Sequence, residues 1–438
     1  MEPKMDGASS SEAVIKRQIS ECAHRYEARR REMSEPRGDR ALQAREEAQI
    51  EILVHQLVQS DGPVLRVVRR LESADDAGTL FVVLRVLAER GFFEEVMGLA
   101  VSLSATPLAG AIADALVLSW PKEETAYVRS LLRHRNGLVI AVIAQLIGTK
   151  RLPLGEAMQH ALEKEHREPA HAWLGWALGR VPHPPALPLL FDKLKREQDP
   201  QAATLIATAL LRNGHQPTLD HCRERLEHES WPRQLCAIAG DAADATRLVA
   251  ALKTVTVGPD DVLAAGLAGD RAAVPFLLDH LDTDSGASYR DSGASHRVSG
   301  ASHRTLVTTA LYLLTGAPLF HADSPKPKTA WAEDATAWRQ WWQQQGSEFR
   351  AGTRYRLGRA VDPAVLLDQM ASEWLPRALR QVAYEEYVIR YQLDGPFEAH
   401  LYVARQQETL SAMRAALAER ETPFTPGAFY FKGALLPA

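Results

Sequence analysis

GLAGDRAAVPFLLDHL, residues 266–281, contains the end of an Ala/Leu-rich helix, a turn with glycine and a second helix with leucine at helical spacing. Residues 177–194, 210–226 and 237–252 have the same order. The turn glycines recur at intervals of roughly 30 residues, which is typical of helical hairpins stacked in a row. A single hairpin cannot cover its own apolar faces, whereas a stack buries them between neighbours. The sequence therefore predicts an all-α fold built as an α-solenoid. The turn glycines are Gly179, Gly214, Gly240 and Gly269.

The composition of the chain is that of an ordinary globular protein. Its 438 residues allow two or three domains or one elongated array, and 46% of them are hydrophobic and 24% charged. Lys plus Arg number 51 and Asp plus Glu 55, so the formal charge is −4. This near-balance argues against a nucleic-acid partner, because phosphate affinity needs concentrated Lys and Arg. Three scattered cysteines fit a reducing compartment and no disulfide framework.

One apolar stretch, residues 96–113, raises the question of a membrane span. Thr106-Pro107 interrupts it, and threonine is a good N-cap while proline is favoured in the first helical turn. We therefore expect the end of one helix and the start of another, with no membrane span. The N-terminal residues MEPKMDGASSSEAV lack the apolar core of a secretory signal, so we expect a cytoplasmic protein.

Three regions follow from the pattern along the chain. Residues 1–60 predict an N-terminal pair of longer amphipathic helices, and residues 61–320 predict the repeat solenoid. Residues 283–304 repeat Ser-Gly-Ala-Ser and predict a flexible loop within it, either a basic tether or an expansion by repeat slippage. Residues 321–438 begin with a linker that carries proline and lysine, and predict a C-terminal helical cap.

A tryptophan and arginine cluster in the last region gives the candidate partner-binding residues. Trp and Arg dominate the hot spots of protein interfaces, and three of these tryptophans share one helix face. The predicted set is Trp338, Trp341, Trp342, Arg354, Tyr355, Arg356 and Arg359.

Two structural alternatives stay open for this set. The indoles could close the core of a capping helix, since aromatic side chains usually bury most of their area. The arginines could form a cradle for a carboxylate or phosphate, or they could pair within the chain with Glu385, Glu386 or Asp394.

The turn of residues 266–281 resembles a HEAT repeat, with Gly269, Asp270 and Pro275 at the positions that pattern favours. More widely, the Trp-x-x-Trp-Trp helix, GTRYRLG at 352–358 and the RALR block resemble an uncharacterised bacterial HEAT-like repeat family. Some members of that family are encoded near type VI secretion clusters. The resemblance implies a cytoplasmic protein that holds an effector, adaptor or toxin domain, and it brings no catalytic residues.

The familiar motifs of catalysis are missing from the sequence. It has no His-Glu-x-x-His, no phosphate-binding Gly-x-x-x-x-Gly-Lys-Ser/Thr and no Gly-x-Ser-x-Gly. We therefore expect no catalytic residues, no bound metal and no cofactor. The leading hypothesis is a non-enzymatic scaffold for protein–protein interaction, as an immunity or adaptor protein for a secreted type VI effector. The alternative is an enzyme with a site assembled across repeats, either metal-dependent or of a DNA-repair type.

Overall fold

The computed structural model describes residues 6–35, 39–60, 63–71, 76–102, 106–121, 125–164, 169–255, 257–282, 303–319 and 333–436. Over these residues the predicted all-α fold is confirmed, with 22 α-helices and four strands of two residues each. The predicted loop lies outside the described residues up to position 302, and its last two residues belong to a helix instead. The predicted linker also lies outside them, up to position 332.

The chain divides into two compact units. The first comprises Met1–Met33 and Asp39–Leu189, and the second comprises Ser34–Gly38 and Leu190–Ala438. The helices of the first part of the chain are α1 Asp6–Ser34, α2 Arg40–Gln59, α3 Pro63–Arg70, α4 Ala77–Glu89, α5 Phe93–Ser102, α6 Thr106–Ser119, α7 Thr125–Leu131, α8 Gly137–Lys150, α9 Gly155–Lys164, α10 Ala170–Leu178 and α11 Leu187–Leu194, with a 3-10 turn at Pro184–Ala186.

Helix ends in the first unit follow the local signals of the sequence. The side chain of Asp76 accepts from the N–H of Thr79 and so caps α4. The apolar stretch at 96–113 is divided as expected, because α5 ends at Ser102 and α6 begins at Thr106. Among the described residues, no helix combines the length and apolarity that crossing a membrane requires.

Alternate helices of the first unit pack on each other, in the order α4, α6, α8 and α10. The tightest approach lies at Gly148 of α8. A Cβ atom there would stand 2.3 Å from Cζ3 of Trp176 and 3.1 Å from Cα of Ala177, both on α10. Glycine therefore lets the backbones of α8 and α10 come close enough for Trp176 to pack between them.

We expect Gly148→Ala to destabilise the protein by about 1–3 kcal/mol, because the added methyl overpacks the contact with α10. Gly98→Ala is the matched control, since Gly98 lies inside α5 with nothing within 4 Å of an added Cβ. The control is expected to stabilise by roughly 0.5–1 kcal/mol through helix propensity. Thermal unfolding of both variants measures the difference. Equal shifts in the two variants would contradict a close contact at Gly148.

The predicted N-terminal helix pair is present as α1 and α2, and both helices contact others of the first unit. The boundary at residue 60 stays a prediction. Arg29 of α1 donates to Glu47 of α2 at 2.7 Å, with both side chains buried. The rings of Tyr26 on α1 and Phe81 on α4 stack with centroids 3.9 Å apart. These buried contacts join α1 and α2 to the helices that follow.

The second unit continues with helices α12 Pro200–Arg212, α13 Gln216–Arg225, α14 Trp231–Ala239, α15 Ala242–Leu252, α16 Pro259–Ala268, α17 Ala273–Asp282, α18 His303–Thr315, α19 Ala335–Gln345, α20 Pro363–Ala371, α21 Arg377–Tyr391 and α22 Val403–Ala418, a 3-10 turn at Gly346–Glu348, and strands β1 Tyr355–Arg356, β2 Arg359–Ala360, β3 Tyr430–Phe431 and β4 Ala434–Leu435. Alternate helices again pack in order, α12 on α14, α14 on α16 and α16 on α18. Stacked hairpins produce this neighbour pattern within a unit. The continuous solenoid over 61–320 stays a prediction.

The C-terminal region packs on the helices before it. The boundary at residue 320 stays a prediction. Helix α21 contacts both α12 and α14, and β1 contacts α18. Helices α20, α21 and α22 share a core that includes Leu366, Tyr384, Tyr387 and Leu410. Burial of this apolar face joins the three C-terminal helices to one another.

Two short hairpins, β1–β2 and β3–β4, each contact the C-terminal end of a helix in the same way. Leu357 and Gly358 form the first turn with φ of 52° and 76°, and Lys432 and Gly433 form the second with the same values. The N–H groups of Leu357 and Gly358 donate to the carbonyl oxygens of Leu313 and Leu314, at the end of α18. Those of Lys432 and Gly433 donate to Ile389 and Arg390, at the end of α21. Each hairpin turn therefore caps the C-terminus of one helix.

The equivalence extends beyond the turns and identifies a tandem repeat. GTRYRLG at 352–358 matches GAFYFKG at 427–433. The hydroxyl oxygen of Tyr355 accepts from the N–H of Arg350 at 2.8 Å, and that of Tyr430 accepts from the N–H of Thr425 at 3.0 Å. The phenylalanine before each hairpin also contacts the tyrosine, at 4.7 and 5.1 Å between centroids. We call α18, α19 and β1–β2 the first module, and α21, α22 and β3–β4 the second.

Candidate functional site

A buried carboxylate with three arginines lies where the two hairpins meet α14 and α16. Glu386 of α21 accepts from Nη2 of Arg356 at 2.8 Å, from Nε of Arg390 at 3.1 Å and from Nη2 of Arg354. All four side chains are fully buried. We call these four residues the Glu386 cluster. Pairing within the chain, one of the two alternatives open for Arg354 and Arg356, is thus observed with Glu386.

The cluster has two more positive than negative charges, and helix ends compensate for the excess. Arg356 donates to the carbonyl oxygens of Gly266 and Leu267 at 3.0 and 2.7 Å, in the last turn of α16. Arg390 donates to Gly240 at 3.0 Å, just after α14. The C-terminus of a helix carries a partial negative charge of about half an elementary charge. Two helix ends thus add to Glu386 in holding three buried guanidinium groups.

The electrostatics of the cluster suit permanent ionisation. Burial alone would raise the pKa of Glu386, but the charges of Arg354, Arg356 and Arg390 outweigh it and lower that pKa to about 2. Burial lowers the pKa of Arg356 and of Arg390, although a guanidinium group remains protonated in proteins. A group that stays charged throughout the neutral range offers no proton for acid–base catalysis. The arrangement stabilises the packing of the two hairpins and α21 against α14 and α16.

A further buried arginine, Arg212 at the end of α12, pairs with side chains of α21. Arg212 donates to Glu385 at 2.6 Å and to the hydroxyl of Tyr384 at 3.2 Å, both on α21. Tyr384 in turn donates to Asp394 at 2.8 Å. Burial opposes the charge of Arg212, yet these partners raise its pKa well above the usual value. The C-terminal region therefore caps three alternate helices, α14, α16 and α18, and it pairs with Arg212 at the end of α12.

The structure separates the predicted partner-binding residues into buried and accessible ones. Trp338 is buried, Tyr355 is buried at the first hairpin, and Arg354 and Arg356 belong to the Glu386 cluster. These four side chains offer no surface to a partner in this conformation, because their area and charge are already used inside the fold. For Trp338 this is the alternative in which the indole closes the core.

Trp341, Trp342 and Arg359 are the accessible members of the predicted set. Trp341 and Trp342 are half-buried on α19, and both contact Phe349, with ring centroids 6.3 and 5.2 Å apart. Arg359 lies on the surface of β2, where it donates to Asp368 at 2.7 Å. A partner-binding role for these three residues stays a prediction.

Two features of this site were not predicted from the sequence. Arg390 and Arg212 were not predicted, because arginine on a helix normally marks a solvated face. The second hairpin was also missed, although its signal is visible as Gly-x-x-Tyr-x-x-Gly, present at Gly352 and again at Gly427.

Within the described part of the chain, no group of three or more His, Cys, Asp or Glu side chains is placed to hold a metal ion. The fold and the site together define an all-α protein whose C-terminal hairpin modules cap its repeat helices. Comparison of the chain with protein-family models, with curated proteins and with solved structures gave no match.

Proposed function

We propose that this chain is a non-enzymatic scaffold that binds a protein partner through the surface of α19. The observation that carries the proposal is the pair of adjacent indoles, Trp341 and Trp342, which remain partly accessible beside the buried Trp338. Tryptophan is enriched among the residues that dominate binding energy.

The surroundings hold the two indoles in place. Both rings contact Phe349, and a Cβ at Gly346 would stand 3.0 Å from Cε2 of Trp342, so this indole lies directly over the glycine. A side chain that is already fixed loses little rotamer freedom when a partner binds. The exposed residues Gln343 and Gln344 continue the helix and supply a polar rim. An aromatic centre with a polar rim suits a protein surface.

The polar groups of the site also favour binding over chemistry. The charges of the Glu386 cluster are paired with one another and with helix ends, so they are committed to holding the fold. The groups that a partner could contact on this surface are the two indoles and the Arg359–Asp368 ion pair.

The finer form of the proposal rests on the family resemblance. In that form the protein is cytoplasmic, and its partner is a secreted bacterial effector or toxin domain of a type VI system. The chain would then act as an immunity protein or an adaptor, with no nucleic acid involved.

The test compares three tagged chains purified gently from the native host: wild type, Trp341→Ala/Trp342→Ala and the control Gln343→Ala/Gln344→Ala. We expect one polypeptide in stoichiometric amount with wild type and control. The indole variant should recover it at least about 30-fold less, as the loss of a hot spot of about 2 kcal/mol implies. Circular dichroism checks that all three chains are folded.

Two outcomes would contradict the proposal. Absence of any stoichiometric partner from wild type would argue against a scaffold. Equal recovery by wild type and the folded indole variant would remove α19 as the binding surface.

A further inference from the structure

The open end of the first hairpin is closed by a residue of the second module. Val361 N–H donates to the carbonyl oxygen of Arg354 at 2.9 Å, as expected for the next pair of the ladder. The second bond of this pair, from Arg354 N–H to the carbonyl oxygen of Val361, is not made. Gly427 takes its place: its carbonyl oxygen accepts from Arg354 N–H at 3.2 Å, and its N–H donates to the carbonyl oxygen of Val361 at 2.8 Å. We call these two groups, the N–H of Arg354 and the C=O of Val361, the terminal rung of the first hairpin. In the first hairpin, Gly427 fills it.

Among the residues that the structure describes, none occupies the corresponding terminal rung of the second hairpin. Leu436 N–H donates to Phe429 at 2.8 Å, which matches the bond between Val361 and Arg354. Throughout the described residues, the N–H of Phe429 and the C=O of Leu436 make no hydrogen bond. Leu435, next to this rung, is 62% exposed, which is unusual for a large hydrophobic side chain. Unpaired main-chain groups beside an exposed apolar side chain are a template for another chain.

In the first hairpin the occupant of the rung is a glycine with positive φ. Gly427 has φ of 79°, and a Cβ there would stand 2.4 Å from Cγ2 of Thr353. Its counterpart in the first module is Gly352, with φ of 72°. Gly352 is exposed, and nothing lies within 4 Å of an added Cβ. No main-chain bond is made by Gly352 within the described residues.

We propose that the terminal rung of the second hairpin, Phe429 and Leu436, binds the Gly352 turn of a second copy of this chain. Within one chain the glycine of the second module docks on the hairpin of the first. The association repeats that contact between two copies, with the first module of one copy on the second hairpin of the other. Main-chain bonds and burial of Leu435 hold it, as in other cases of strand addition. The interface joins two different surfaces, so the copies associate head to tail.

The inference is independent of a partner at α19, since it concerns other residues and a second copy of the same chain. Cross-linking tests it directly. Ala351→Cys places a thiol beside Gly352, and Leu435→Cys places one beside the rung. The native cysteines Cys22, Cys222 and Cys236 are buried and do not compete.

The two full-length variants carry different tags and are mixed with a short bis-maleimide. We expect the mixed product of Ala351→Cys and Leu435→Cys to exceed each like-with-like product by roughly tenfold, because close approach raises the effective concentration of the two thiols. Glu408→Cys, on the exposed face of α22, replaces Leu435→Cys in the control and should give only the background yield. A mixed yield equal to this control, or a predominance of like-with-like product, would overturn the proposal.

Sedimentation velocity over a concentration series gives a second readout. Wild type should show association that Leu435→Asp and Gly352→Asn each weaken by at least about tenfold. Both changes are at exposed positions, and asparagine tolerates the left-handed conformation, so the fold should persist. A monomer at every concentration, or association unaffected by both variants, would rule out this contact.

Discussion

Glu386→Gln is expected to lower the free energy of unfolding by about 3–5 kcal/mol, the cost of breaking a buried ion pair by removing one partner. The substitution keeps the size of the side chain but leaves three buried guanidinium groups without a counter-charge. The helix ends that remain supply only partial charges. Urea unfolding followed by tryptophan fluorescence measures the effect.

Asp368→Asn is the matched control for this prediction. Asp368 also accepts from two arginines, Arg359 at 2.7 Å and Arg414 at 3.2 Å, but its side chain is 44% exposed. Water screens such a surface pair, so the loss should be below about 1 kcal/mol. If the two variants lose the same stability, burial is not what makes Glu386 important.

The pH dependence of the difference between wild type and Glu386→Gln provides an internal check. The pKa of Glu386 is lowered from 4.5 to about 2 on folding, so the stabilisation is fully present above pH 4.5. It is lost as the pH falls from there towards 2, because the carboxylate then takes up a proton. The difference in free energy of unfolding between wild type and variant should therefore become smaller as the pH falls from 4.5 towards 2. A gap that stays constant would show that Glu386 does not act through its charge.

Gly358→Ala is expected to destabilise the protein by about 2 kcal/mol more than Gly433→Ala. Both glycines have φ of 76°, and an alanine in the left-handed region costs about 1–2 kcal/mol at either position. At Gly358 the new Cβ would also stand 2.5 Å from the backbone oxygen of Thr315, whereas at Gly433 the nearest atom is 3.6 Å away. The hairpin must then retreat from α18 and give up hydrogen bonds worth about 1 kcal/mol each.

Comparing the midpoints of urea unfolding tests this pair of variants. Hydrogen exchange adds the location of the effect: only Gly358→Ala should speed the exchange of Leu357, whose N–H donates to Leu313. Equal destabilisation, with no change at Leu357, would mean that the turn does not depend on contact with α18.

The elements that sequence reasoning found are those with local causes. The start of α6 at Thr106 and the helix of residues 273–282 both follow from side chains a few residues away. The same reasoning fails for Arg354. One of its acceptors is the carbonyl oxygen of Ala237, 117 residues earlier in the chain. No local pattern distinguishes such an arginine from a solvated one.

The sequence by itself determined the helical class, the start of α6 and the alternation of helices and turns, because apolar spacing and capping residues act within one or two turns of chain. Only the tertiary structure decided which arginines are buried, where the two units divide and how the hairpins close the helix ends. These depend on main-chain groups of distant helices, whose partial charges and unpaired carbonyl oxygens exist at a given place only once the helices have packed.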